Sequence, residues 1–119
     1  MKLKWGVCAD IDRIDQIAQM GFDYLETSAS KIGKMTDAEW EEKVRMVEAA
    51  PIPCDCFNVL FPKTMDLVGT DSGIGQMTRY LGGLFPRLRR IGAKIVVFGS
   101  GKVRARPTAM DFASAYGRL

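Results

Sequence analysis

The 119 residues are 47% hydrophobic and 26% charged, the make-up of one soluble globular domain (residues 1–119) rather than of a disordered or fibrous chain. The longest apolar runs fall far short of the ~18 residues of a membrane span, and the N-terminal MKLKWGVCAD lacks the apolar core of a secretory leader, so the expectation is a cytoplasmic protein with no membrane partner. A net charge of +3 is too small to argue for nucleic acid, and the absence of histidine removes the side chain best suited to proton transfer near neutral pH.

In chain order, residues 3 to 9 (LKWGVCA) read as a short apolar strand. Asp10 offers an N-cap to a helix with Ile11, Ile14, Ile17 and Ala18 on one face, and Gly21 closes it. FDYLE, residues 22 to 26, is a second strand. Thr36 and Glu39 have the spacing of a capping box, opening a helix with Trp40, Val44 and Val47 in a stripe that Pro51 and Pro53 end. CDCFNVL is a third strand. From Gly73 to Gly92, Ile74, Met77, Leu81, Leu84, Leu88 and Ile91 recur at steps of three and four, a core-facing helix in which Pro86 predicts a kink near Gly82 and Gly83. Asp66 and Asp71 flank the loop before this helix as candidate caps without chemistry. KIVVF is a fourth strand, and Thr108 or Asp111 caps a last short helix. Trp5 and Trp40 are expected in the core.

Strands alternating with helices predict an α/β fold of four βα units with a parallel sheet. Two architectures satisfy that pattern, an open doubly wound sheet or part of a (β/α)8 barrel. In both, ligands sit at the carboxyl ends of the strands, which points to Asp10, Glu26, Asn58 and the segment 99–106. The three cysteines, odd in number and without a C-x-x-C, are expected to be free thiols. If Cys54 and Cys56 share a strand face they could present two thiolates, but two soft ligands alone make a poor zinc site, and inert thiols are the expectation.

GFDYLE, FNVLFP and above all GAKIVVFGSGKVRARP resemble the first half of sugar phosphate isomerase/epimerase proteins, which have a xylose isomerase-like TIM-barrel fold. The resemblance runs in order over nearly the whole chain, whereas a complete TIM barrel needs ~250 residues. It implies half of a (β/α)8 barrel. It also implies that the divalent-metal ligands (for Mn, Mg or Zn in full-length relatives), acidic residues and a histidine, come from later strands, leaving no cofactor, metal ligand or catalytic residue in this chain. The implied activity is metal-dependent aldose/ketose isomerisation or epimerisation, to which this half contributes groups that bind a sugar or sugar phosphate.

Five residues carry that expectation. Glu26 matches the family's acidic residue after the second strand, implied to touch substrate; read from the residues alone it is equally a surface carboxylate ending a strand. Asn58 can donate to and accept from sugar hydroxyls, or simply turn the chain. Gly99, Ser100 and Gly101 let the backbone approach a ligand while Lys102, Arg104 and Arg106 hold an anion; the competing reading is a solvated loop. Ser100, Arg104 and Arg106 complete the candidate substrate set. The alternative function is a non-catalytic half-barrel that self-associates through its open sheet edges into a homo-oligomer. A third reading, a DNA endonuclease of the same fold class, rests on the basic loop alone and is opposed by the missing histidines.

Overall fold

Strand pairing decides between the two architectures. In the computed structural model, which describes residues 2–69 and 73–119, four strands form one sheet in the order β1-β2-β3-β4: β1 (Gly6–Cys8), β2 (Tyr24–Ser28), β3 (Cys56–Asn58) and β4 (Ile95–Val96). Every pairing is parallel. A doubly wound sheet reverses direction part way, so that helices cover both faces. Here the order never reverses, and right-handed crossovers of one sense place all helices on one face, as in a (β/α)8 barrel. The result is an open arc of 50 × 35 × 20 Å with a radius of gyration of 16.5 Å, against about 13.5 Å for a compact domain of this length.

The helix layer comprises α1 (Ile14–Gln19), α2 (Ala29–Lys34), α3 (Asp37–Ala49), α4 (Gly73–Arg90) and the short α5 (Phe112–Tyr116), with 3-10 turns at Ile11–Arg13 and Gly101–Arg104. Leu25 and Phe57, fully buried, face this layer and pack with Ile14, Ile17, Ile32, Trp40, Val44, Leu84 and Leu88. Both long apolar stripes therefore serve the core as their spacing predicts, except that Ile74 is exposed near the N-terminus of α4. The capping box is present: the Glu39 main-chain N–H donates to Thr36 Oγ1 and the Thr36 N–H to Glu39 Oε2. The helix α4 runs through Pro86 without a break. The ring removes only the bond to the Gly82 carbonyl, which lies on the exposed side of the helix, and glycine there leaves room for it.

Gly21 and Gly92 both take positive φ, 88° and 83°. Each closes a Schellman motif: the N–H groups of Gly21 and Phe22 reach the carbonyls of Ala18 and Ile17, and those of Gly92 and Ala93 reach Arg89 and Leu88. Several expectations are corrected. Trp5 is 67% exposed, because the part of the sheet beside it carries no neighbour. Asp10 makes no capping bond, its carboxylate being drawn to Lys31. The second strand lies two residues later than expected, and the third and fourth are shorter. The third is cut by Val59, whose φ of 47° no extended strand accommodates. Asp111, not Thr108, caps α5. Asp66 accepts from Val68 and Gly69 N–H in a local turn, and Asp71 lies outside the described residues. The sequence pattern gives no sign of α2: its six residues carry no long stripe, and tertiary contacts hold it. The Ser28 side chain caps its start, and Arg87 from α4 donates to the Ile32 and Met35 carbonyls at its end while pairing with Asp37 at 2.7 Å.

Candidate functional site

Parallel register builds the site. Cys8, Glu26, Cys56 and Ile95 lie side by side across the four strands, and one row further toward the carboxyl ends Ser28 stands opposite Asn58. Residues alternate along a strand, so these side chains share the face away from the helices, where Leu25, Thr27 and Phe57 are not found. That face would be the interior of a closed barrel. Gly6 belongs to it too: a Cβ there would meet the Tyr24 ring at 2.2 Å, so glycine on β1 lets Tyr24 lie across the neighbouring strand.

Two of the five expected residues come together. Asn58 Nδ2 donates to Glu26 Oε1 at 2.8 Å and to Cys8 Sγ at 3.4 Å. The three residues join Ala9, Asp10, Arg13, Thr27, Ser28 and Lys31 around an open pocket of about 320 Å³. Lys31 Nζ is paired with Asp10 at 2.6 Å, so the mouth holds one compensated ion pair beside the carboxylate of Glu26. Asn58 is fixed from below by the ladder and from above by the strained turn at Val59, whose carbonyl accepts from Ser30 N–H. A β-branched residue at positive φ is a sterically costly backbone, and it sits next to the side chain that touches Glu26.

Burial first, then the hydrogen bond and charge of Glu26, push the Cys8 thiol above its usual range, while the Asn58 amide pulls it down. Cys8 is thus a neutral thiol beside a carboxylate rather than a thiolate. Cys54 is buried in the core, and burial raises its thiol to about 12. Cys56 instead stands half-exposed in the Glu26 row, raised by burial and by the Asp55 charge. The two therefore do not form a paired exposed site. One carboxylate, one amide and a protonated thiol do not suit a hard divalent cation, and among the described residues no group of three or more Cys, Asp or Glu is placed to hold one.

Ser100, Arg104 and Arg106 lie in the segment after β4 and do not line this pocket. Ser100 adopts a left-handed conformation (φ 33°, ψ 45°), and its Oγ accepts from Phe61 N–H at 3.2 Å, tying the post-β4 loop to the post-β3 loop. Arg104 donates through Nε and Nη2 to the Gly99 carbonyl, at 3.0 and 2.6 Å, with its guanidinium 5.3 Å from the Phe98 ring centre. Arg106 donates to the Met110 carbonyl. Part of the donor set of each arginine is therefore engaged in shaping its own loop. The sequence reading missed Cys8, Ser28 and Lys31. Extending the alternation of Tyr24 and Glu26 by one step finds Ser28, whereas Cys8 and Lys31 emerge only from the strand register and from α2.

Among the described residues no helix is long and apolar enough to cross a membrane. No protein-family model matches the chain, and no curated protein matches it. Among solved structures it is similar to a crystal structure of D-psicose 3-epimerase (DPEase) in the presence of D-fructose, with a TM-score of 0.69 and 18% identity. The match covers 98% of this chain and 44% of that one, so the chain spans less than half the epimerase's length. The likeness at this identity is one of fold: a four-stranded parallel α/β sheet matching about half of a xylose isomerase-like TIM barrel.

Proposed function

We propose that this chain is the sugar-binding half of an isomerase or epimerase barrel, a single domain whose Glu26 and Asn58 hold the hydroxyls of a sugar or sugar phosphate. The observation that carries the reading is the 2.8 Å bond between these two side chains, on adjacent parallel strands, at the carboxyl ends where barrel ligands bind. A carboxylate that only accepts, beside an amide that both accepts and donates, matches a vicinal diol, which offers both kinds of partner. Ser28, opposite Asn58, adds a hydroxyl. The fold likeness to a ketose epimerase supports the same substrate class. The chain binds and orients; the proton-transferring base and any divalent metal belong to the other half of the ring.

Ser100, Arg104 and Arg106 form the second part of the reading, an anion arm at the fourth strand's end. Their fixed loop geometry pre-places the remaining guanidinium N–H groups, and a phosphate accepts two parallel bonds from arginine.

Titration calorimetry or chemical-shift mapping with D-fructose and with a hexose phosphate tests both parts. Glu26→Gln and Asn58→Ala are each expected to weaken binding of either ligand about 10-fold or more, the worth of a hydrogen bond involving a charged group. Arg104→Ala with Arg106→Ala is expected to weaken only the phosphate. Unchanged affinity in the Glu26 and Asn58 variants overturns the sugar site, and equal losses for both ligands in the arginine variant overturn the anion arm.

A further inference from the structure

We infer that the anion arm at the end of β4 continues onto the loop after β3 and that the two loops together hold a diphosphate group, free or esterified to a sugar. This extends the arm proposed above and is independent of the Glu26–Asn58 pair. Two main-chain N–H groups tie the loops to each other. Phe61 N–H donates to Ser100 Oγ at 3.2 Å, and Leu67 N–H donates to the Val103 carbonyl at 3.0 Å. Residues 61–67 are therefore stitched at both ends to residues 100–103. Between the ties, Met65 N–H closes a turn onto the Pro62 carbonyl, which puts Lys63 at the exposed tip. Facing it, the buried Val103 anchors the 3-10 turn Gly101–Arg104, so Lys102 and Arg104 on either side of it stay at the surface.

Lys63 and Lys102 thus ride on segments held together from both sides, and neither forms an ion pair or a side-chain hydrogen bond with another described residue. Lys31, Lys43 and Lys94, by contrast, are each matched by an aspartate. The described carboxylates of the same two loops are turned onto their own main chain. Asp66 accepts from Val68 and Gly69 N–H, and Asp111 accepts from Ser114 N–H at the start of α5. Like charges brought together without a counter-charge repel, and an anion seated between them replaces that repulsion with attraction. The N–H groups that Arg104 and Arg106 do not direct to the Gly99 and Met110 carbonyls meet one phosphoryl group, through parallel bonds where geometry allows. The two ammonium groups, point charges on flexible stems, meet a second phosphoryl group joined to the first by a bridging oxygen.

Titration calorimetry of the 119-residue chain with inorganic phosphate, inorganic pyrophosphate and UDP-glucose, in magnesium-free buffer, tests it. Pyrophosphate is expected to bind about 10-fold or more tightly than phosphate, the worth of a hydrogen bond between charged groups. Lys63→Ala combined with Lys102→Ala is expected to erase that margin while keeping phosphate within about twofold, since exposed charges beyond direct contact are screened. Lys2→Ala with Lys4→Ala removes the same charge beside β1 and is expected to leave the margin intact. Circular dichroism checks that each variant is folded; should the first pair change the spectrum, Lys63→Gln with Lys102→Gln reads the same positions. UDP-glucose is expected to bind and to weaken with the Lys63 and Lys102 pair, and its affinity relative to pyrophosphate separates an esterified diphosphate from a free one. If none of the three anions binds, the arm itself falls. If phosphate binds and pyrophosphate binds no more tightly, this inference alone is overturned, as it is by a margin that survives loss of both lysines or that the Lys2 and Lys4 variant erases equally.

Discussion

Cys8 is a reporter already built into the pocket. Its thiol is held above the ordinary value of 9.0 by burial and then by Glu26, with Asn58 acting in the opposite direction. Only the thiolate is alkylated, so the rate at fixed pH follows the thiolate fraction. Glu26→Gln removes the raising charge and is expected to speed modification of Cys8 by iodoacetamide; Asn58→Ala is expected to slow it. Mass spectrometry of the Cys8 peptide across a pH series checks both signs, and equal rates in all three proteins would separate the thiol from Glu26. At this scale the sequence exposes Glu26 and Asn58, since strand alternation and a carboxyl-end position are properties of a short segment. It conceals Cys8, because 50 residues separate it from Asn58 and only the ladder brings them within 3.4 Å.

Among the elements, helices with a long apolar stripe are legible, whereas α2, capped by Ser28 but without a stripe, is not. The capping box at Thr36 is a local pattern, and Thr36→Ala is expected to cost about 1 kcal/mol in urea unfolding. The Thr36 bonds hold Glu39 below its ordinary value of 4.5. A carboxylate lowered in the folded state contributes stability above its unfolded pKa and loses it as pH falls through the folded value. The gap between wild type and Thr36→Ala should therefore narrow, without closing, on acidification below pH 4.5, because only the Thr36 hydroxyl bond to the carboxylate is lost in the variant and the larger backbone bond is kept. By contrast α2, at six residues, is too short to hold itself in water. It depends on Arg87, 52 residues from the Met35 carbonyl it binds. Arg87→Ala is expected to cost about 1.5–3 kcal/mol, and Arg87→Lys to recover little. A single ammonium cannot reproduce the guanidinium fork that spans Ile32, Met35 and Asp37. Thermal unfolding of the two variants reads this directly. Trp5 shows the complementary failure: residue type argues for burial, but the face it occupies has no layer over it.

For the molecule as a whole, alternating strands and helices left two topologies open, and only the pairing order chose between them. That order also sets where the sheet is firm. Among the described residues, the strands β2 and β3 have partners on both sides, whereas β1 and β4 have one each. In the single-chain state, hydrogen exchange is expected to be slowest at Leu25, Thr27 and Phe57 and fastest along β4; uniform protection across the four strands would contradict an open sheet.

Neighbours in this sheet are also neighbours in time. During synthesis β2 finds β1 already made, and β3 finds β2, so no strand has to wait for one made later, although α2 waits for Arg87. Cys8 and Glu26, Glu26 and Cys56, and Cys56 and Ile95 each lie one crossover apart, and loop-closure entropy rises only slowly with the length of that crossover. The strand order therefore allows the arc to be extended in the direction of synthesis, each new strand pairing with the one made just before it.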